Sequence, residues 1–139
     1  MGAKRPALAR SNSRIFFLFS TSIAFMVCLT LYRFRHSVIT LYGANIEVRN
    51  LADPTIRVFS IVFFFDWVQC SLGGIIKGVG QQALASLASL FCMVCINFPI
   101  AYLIGLHHEY GLPGLWIGFG IACTTLAVLY SIILARLDW

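Results

Sequence analysis

Charge is what this chain has least of. Its 139 residues include 10 Lys/Arg and only 5 Asp/Glu, 11% charged in all, where soluble globular chains carry about 25%. With 60% hydrophobic residues and a mean hydropathy of +0.87, that scarcity excludes an ordinary soluble domain. Alternation of polar and apolar residues over about 10 positions is also missing, which excludes the strands of a membrane barrel. No nucleophile is paired with a base and no phosphate loop occurs, so the sequence offers no footing for an enzyme. The basic residues lie at the ends of apolar runs and are not a nucleic-acid footprint. The five cysteines, Cys28, Cys70, Cys92, Cys95 and Cys123, all fall inside those runs. An odd number at such positions argues for reduced packing residues, and Cys92-x-x-Cys95 has no second pair or histidine nearby in its run. His107, His108 and Glu109 are adjacent on a short loop and would not converge on one ion. Neither a metal nor a cofactor is expected.

Four apolar runs are present, over residues 15–32, 58–76, 83–106 and 112–135. At 1.5 Å per residue each is near the 17–25 residues needed to span a hydrocarbon core. The expected fold is therefore all-α, a polytopic membrane bundle of four transmembrane helices over residues 14–136. Residues 1–13 are small, polar and basic, and read as a disordered cytoplasmic tail. Lys4, Arg5, Arg10, Arg14, Lys77 and Arg136 fall on one side of such a bundle, against Arg33, Arg35, Arg49 and Arg57 on the other, which places both termini in the cytoplasm. The first run lacks a small-x-small cleavage pattern and reads as a retained helix rather than a signal peptide. Pro6 stands where a myristoylation signal wants Ser or Thr. The expected location is thus a multi-pass protein of the plasma membrane or an endomembrane, with the lipid bilayer as a partner and no nucleic acid.

The connection from Arg33 to Arg57 holds a turn at Gly43-Ala44-Asn45 and a short amphipathic helix over 45–52. Asp53-Pro54 then supplies an N-cap acceptor and a proline for the start of the second span. The remaining loops are short, one at Gly78-Val79-Gly80-Gln81-Gln82 and one over 107–113, which predicts antiparallel neighbours. Inside the second span, Asp66, Gln69, Cys70, Gly73 and Lys77 recur at three- and four-residue intervals and share a face. Cys70, Gly74 and Gly78 form a small-residue stripe beside them. An ionisable group within a span is costly to desolvate and by default marks a pathway or binding site. Asp66 is thus the candidate for a proton or cation, or else a contact holding two helices together. Ser86, Ser89, Met93 and Asn97 line one side of the third span. Pro99 removes the hydrogen bond to the Cys95 carbonyl and predicts a bend there. Asn97 either lines a site or bridges two helices. The fourth span opens with Gly111, Gly114, Gly118 and Gly120 around Trp116, where Gly114-xxx-Gly118 permits close helix contact and Trp116 suits an interface.

The order Asp66-x-x-Gln69, Gly74-x-x-Lys77-Gly78-x-Gly80-x-Gln82, Pro99, then Gly111-x-x-Gly114-Leu115-Trp116-x-Gly118 resembles the multidrug and toxic compound extrusion (MATE) transporters. It is most similar to the last four helices of the C-terminal lobe in their eukaryotic branch. The loop from Ile39 to Val48 is similar to the connection after the first of those helices. The resemblance covers roughly residues 15–135. It implies export of organic cations or xenobiotics in exchange for protons or sodium ions, with Asp66, Gln69 and Asn97 toward substrate or proton. Gly74, Lys77, Gly78, Gly80, Pro99, Gly114 and Gly118 would then be structural or gating positions. Ser89 replaces a usual Asn, and Met93-Val94 replace a frequent Tyr pair. Four helices form only part of one lobe, so transport is expected to require an N-terminal lobe or a partner subunit. The alternative from a different class is a small membrane protein with a structural or assembly role.

Overall fold

The computed structural model describes residues 6–41 and 45–136, and every regular element among them is helical. Helix α1 spans Pro6–Arg33 and α2 spans Arg35–Leu41; α3 follows over Ile46–Gly78 and α4 over Gln82–Phe91. A π-helical segment Cys92–Asn97, the short α5 Phe98–Ala101 and a second π-helical segment Tyr102–His107 complete the third span. Helix α6 is Gly111–Ala135. Four stretches are long and apolar enough to cross a membrane, Leu8–Arg33, Ile46–Gly78, Gln82–His107 and Gly111–Ala135. The chain is an all-α, multi-pass membrane bundle.

Two boundaries differ from those expected. The first helix begins at Pro6, inside the stretch 1–13 assigned to a disordered tail. Proline is tolerated in a first turn, and Ala7, Leu8, Ala9 and Arg10 after it are good helix formers; residues 1–5 lie outside the described part. The second span does not start at Asp53-Pro54, because α3 runs unbroken from Ile46 through Pro54. Pro54 deprives the Asn50 carbonyl of its donor. One residue along, the Thr55 hydroxyl donates to the Leu51 carbonyl at 2.6 Å. The expected turn at 43–45 lies mostly outside the described residues. Around Pro99 the disturbance takes the form of two π-helical segments, so the missing N–H is absorbed by widened turns.

The loop after α3 is built as its sequence demands. Gly80 adopts φ +92°, and its N–H donates to the Lys77 carbonyl at 3.0 Å while Gln81 N–H reaches back to Ile76 at 3.1 Å. This paired closure is a Schellman motif, which needs the left-handed residue that glycine supplies most cheaply.

Packing departs from a simple hairpin set. Helix α3 and the third span touch only near their connecting loop, through α4, and α6 lies between them along the rest of their length. The short loop predicts antiparallel neighbours, and they are so only at that end. Glycines on two sides of α6 explain the wedge. A Cβ on Gly114 would sit 2.7 Å from Gly105 Cα, and one on Gly118 would sit 2.6 Å from Ala101 N. Toward α3, a Cβ on Gly120 would meet Val62 at 2.7 Å. The matching small pair Ala101-xxx-Gly105 on the third span was legible in the sequence at four-residue spacing but is partly hidden by its π-helical setting. By contrast, Gly74 and Gly78 have nothing within 4 Å of an added Cβ, and Cys70 is exposed. The stripe they form faces away from the other helices of the chain. Leu72, Ile76, Ala85, Cys92, Leu126, Ala127 and Tyr130 make the core, where the Tyr130 hydroxyl donates to the Ala85 carbonyl at 2.8 Å.

Helix α1 is fastened to α3 by a closed ring of three bonds. Trp67 Nε1 donates to Ser20 Oγ at 2.8 Å, Ser20 and Ser71 hydroxyls lie 2.8 Å apart, and Ser71 Oγ donates to the Trp67 carbonyl at 2.9 Å. With Ser20 donating to Ser71, every donor and acceptor in the ring is used once.

Gly118→Leu should destabilise the bundle by at least about 1–3 kcal/mol, since backbone lies where the side chain must go. Gly74→Leu, into open space, should stay within about 0.5 kcal/mol of wild type. Unfolding in detergent micelles compares the two, and equal losses would refute this account of the wedge.

Candidate functional site

Asp66 lies on α3 nine residues beyond Arg57 and eleven before Lys77. At 1.5 Å per residue that is about 14 Å from one basic end and about 16 Å from the other. Because the hydrocarbon core is about 30 Å thick, the carboxyl group falls near its middle. It is half-buried. Gln69 Nε2 donates to Asp66 Oδ1 at 3.0 Å from one turn further along the helix, and lies 3.2 Å from Cys70 Sγ. From α6, Cys123 Sγ donates to the same Oδ1 at 3.7 Å. Both contacts address one carboxylate oxygen. Among the described residues, no Lys, Arg or His forms an ion pair with Asp66.

The spacing argument thus brought Asp66, Gln69 and Cys70 together, but Cys123 was missed. It had been read as packing sulfur, and its approach depends on α6 lying directly against α3, which spacing within one helix does not reveal. Gly73, on the same face, is covered by the Tyr130 ring, to which an added Cβ would come within 2.9 Å. Lys77 is exposed at the end of the span, where an aliphatic stem can lie in lipid and the ammonium among headgroups.

Asn97 does not join this group. It sits in the first π-helical segment, which contacts α6 and the rest of its own span but not α3. Its Oδ1 is buried without a hydrogen-bond partner among the described residues, so it bridges no helix there. Trp116 rests edge-on against Phe59 of α3, ring centroids 4.7 Å apart. Phe59, Phe63 and Trp67 continue as a ladder at four-residue spacing, with centroids 5.8 Å apart at each step. This aromatic stripe fixes how α6 and α1 rotate about α3, and so which side of Asp66 stays open. Among the described residues no group of three His, Cys, Asp or Glu side chains could hold a metal ion.

A family model described as MatE matches residues 1–103, which takes in the first two spans and most of the third. Protein DETOXIFICATION 31 of Arabidopsis thaliana is 24% identical over 139 residues, all of this chain and 27% of that protein. Multidrug and toxin extrusion protein 1 of Mus musculus is also 24% identical over the whole chain, which covers 24% of it. An uncharacterized transporter of Saccharomyces cerevisiae reaches 28% identity, with 20% of its length covered. The chain thus spans about a quarter of the length of the curated relatives it matches. No solved structure matches it significantly.

The Cys123 contact has a spectroscopic signature. In lipid-reconstituted protein, the infrared S–H stretching band abolished by Cys123→Ala should lie below that of a free thiol, because the proton is shared with a carboxylate. In Asp66→Asn the band should move back toward the free position, since an amide oxygen is the weaker acceptor. An unmoved band would mean that Cys123 does not address Asp66.

Proposed function

The chain belongs to the MatE family, and from that premise we propose that it forms part of a secondary transporter exporting organic cations in exchange for protons or sodium ions. On this reading it corresponds to the last four helices of a C-terminal lobe, with both termini cytoplasmic. Helices supplied by the rest of a longer chain or by a partner subunit would complete the pathway. Asp66 is the residue on which the exchange turns.

The observation that carries the reading is the disposition of the Asp66 carboxyl group near mid-depth. Gln69 and Cys123 both engage Oδ1, so the second oxygen can take a proton or face a cation. A carboxyl group in low dielectric cannot serve both at full strength, and that exclusion is what couples two fluxes. Gln69 has a supporting role. Its amide donates to the charged form of Asp66 and cannot itself titrate. Asn97, on the far side of α6, would meet a substrate only along a separate wall of the pathway. Pro99 and the π-helical turns beside it give the third span the irregular backbone that transporter helices tolerate where they line protein or water. Gly80 and Lys77 end α3 at the opposite face of the membrane from Arg57. The multidrug and toxin extrusion and DETOXIFICATION names borne by relatives agree with a substrate class of cationic xenobiotics.

A chimera tests this directly. Residues 1–139 would replace the matching segment of the mouse relative, and efflux of a radiolabelled organic cation would be followed in membrane vesicles from pH 6 to 8. Asp66→Asn should abolish most proton-driven efflux while expression and insertion persist. Gln69→Ala should weaken apparent affinity and leave the coupling intact. If the contact only holds helices together, Asn should serve nearly as well, since interhelical polar contacts in membranes average about 0.6 kcal/mol. Wild-type efflux and pH dependence in the Asn variant would remove Asp66 from the transport mechanism.

A further inference from the structure

At the other end of α3 lies a cluster of charged side chains that the transport reading leaves unused. Asp53 accepts from Arg35 Nε at 3.1 Å through Oδ1 and from Arg57 Nη2 at 2.6 Å through Oδ2, and His36 Nδ1 stands 3.8 Å from Oδ1. Arg35 is held in place, since Nη1 also donates to the Tyr32 carbonyl at 3.0 Å and the guanidinium lies 5.1 Å from the Tyr32 ring centroid. Arg57 uses one of its five donors on Asp53 and is 51% exposed. Arg49 makes only a 3.4 Å contact with the Thr40 hydroxyl and is exposed. Arg49, Asp53 and Arg57 are spaced four residues apart and share one face of α3. Beside them a concavity of about 440 Å³ is lined by His36, Ile39, Arg49, Asn50 and Asp53 among others.

We propose that this concavity, with Arg49 and Arg57 as its cationic arms, binds the phosphate of an anionic membrane lipid. Three arguments converge. The first is charge: Arg35 and Arg57 pair with Asp53, and Arg49, one turn before it on the same face, brings the four groups to a net charge of +2. Asp53 takes one donor of Arg57, and the remaining Arg57 donors, together with Arg49, are left to an incoming anion. The second is depth. Arg57 and Lys77 are twenty residues apart, about 30 Å along a helix, the thickness of the hydrocarbon core. With Lys77 at one boundary, Arg57 lies at the other, so the cluster sits in a headgroup layer where lipid phosphates are found. The third is the rim. Ile39 and Ile46 line the concavity beside the polar groups, Ile46 being 77% exposed, an apolar wall that suits the organic part of a lipid headgroup and offers nothing to free phosphate. Arginine's planar fork favours phosphate oxygens, and Asn50 adds an amide donor.

Binding to the 139-residue chain in detergent is tested by native mass spectrometry with phosphatidylglycerol and phosphatidylcholine. One phosphatidylglycerol per chain should be retained preferentially. Arg49→Gln, which leaves the Asp53 ion pairs untouched, should weaken retention about tenfold, the loss expected for one charge-assisted contact. Arg57→Gln should weaken it at least as much. Lys77→Gln and Arg136→Gln, at the opposite membrane face, should change it less than about twofold and so separate a built site from net charge. Millimolar inorganic phosphate should fail to displace the lipid. Equal retention of phosphatidylcholine, an unaffected Arg49→Gln variant or ready displacement by inorganic phosphate would each overturn the proposal.

Discussion

Helices in a bilayer gain little from hiding apolar side chains from one another, because lipid is as apolar as leucine. What holds this bundle is the approach of backbones where side chains have been removed, and α6 is where that happens. Gly114 and Gly118 let it close on Gly105 and Ala101, while Gly120 receives Val62 of α3. The same helix then carries Cys123 to Asp66 and the Tyr130 ring over Gly73. Had α3 and the third span packed side by side, Cys123 would not reach the carboxyl group. The composition of the candidate site follows from where glycine permits contact.

Given that frame, the few polar groups are used economically. Ser22, Thr30, Ser60, Thr124, Thr125 and Ser131 each return a hydroxyl proton to the carbonyl four residues back on their own helix. Such a bond satisfies the hydroxyl in lipid without committing it to a neighbour. Ser20 and Ser71 differ because Trp67 supplies a third member, and the resulting ring ties α1 to α3. The Asp66 group is of the same kind but remains open at one oxygen. That difference, a closed ring against an unfinished set, separates a polar group that holds helices from one able to bind.

The number of spans was legible because lipid imposes length and apolarity on each helix separately. The Asp66–Gln69 pair was legible for the same reason, both residues lying on one helix one turn apart. What required the structure depends on relations between helices. Nothing in the local pattern says that Gly74 faces outward while Gly73, one position earlier, carries an aromatic ring. Nor does the spacing of Asn97 reveal that α6 separates it from α3. Pro54 misled for a different reason. Asp-Pro is a good helix start in isolation, but the turn before it already had enough helix formers to continue through.

The two ends of α3 bear opposite burdens, and this constrains how the helix can move. The Lys77 end closes in a Schellman turn, with the Lys77 side chain exposed beside it. The Arg57 end is fastened to α2 through the Arg35–Asp53 ion pair, and Arg35 in turn donates to the Tyr32 carbonyl of α1. A rigid displacement of α3 along its axis would have to break the Arg35–Asp53 pair in the headgroup layer, or draw Asp66 away from Cys123 on α6. Rotation about the helix axis would break the Ser20–Trp67–Ser71 ring. The freedom left to the carboxyl group is local. Its open oxygen can change partner without α3 leaving its place, provided the group it meets arrives from the uncovered face that also presents Cys70 and Gly74. That face has the small side chains that let another group come within contact of Asp66, whereas the sides of α3 that carry Trp67 and Val62 are closed by α1 and α6.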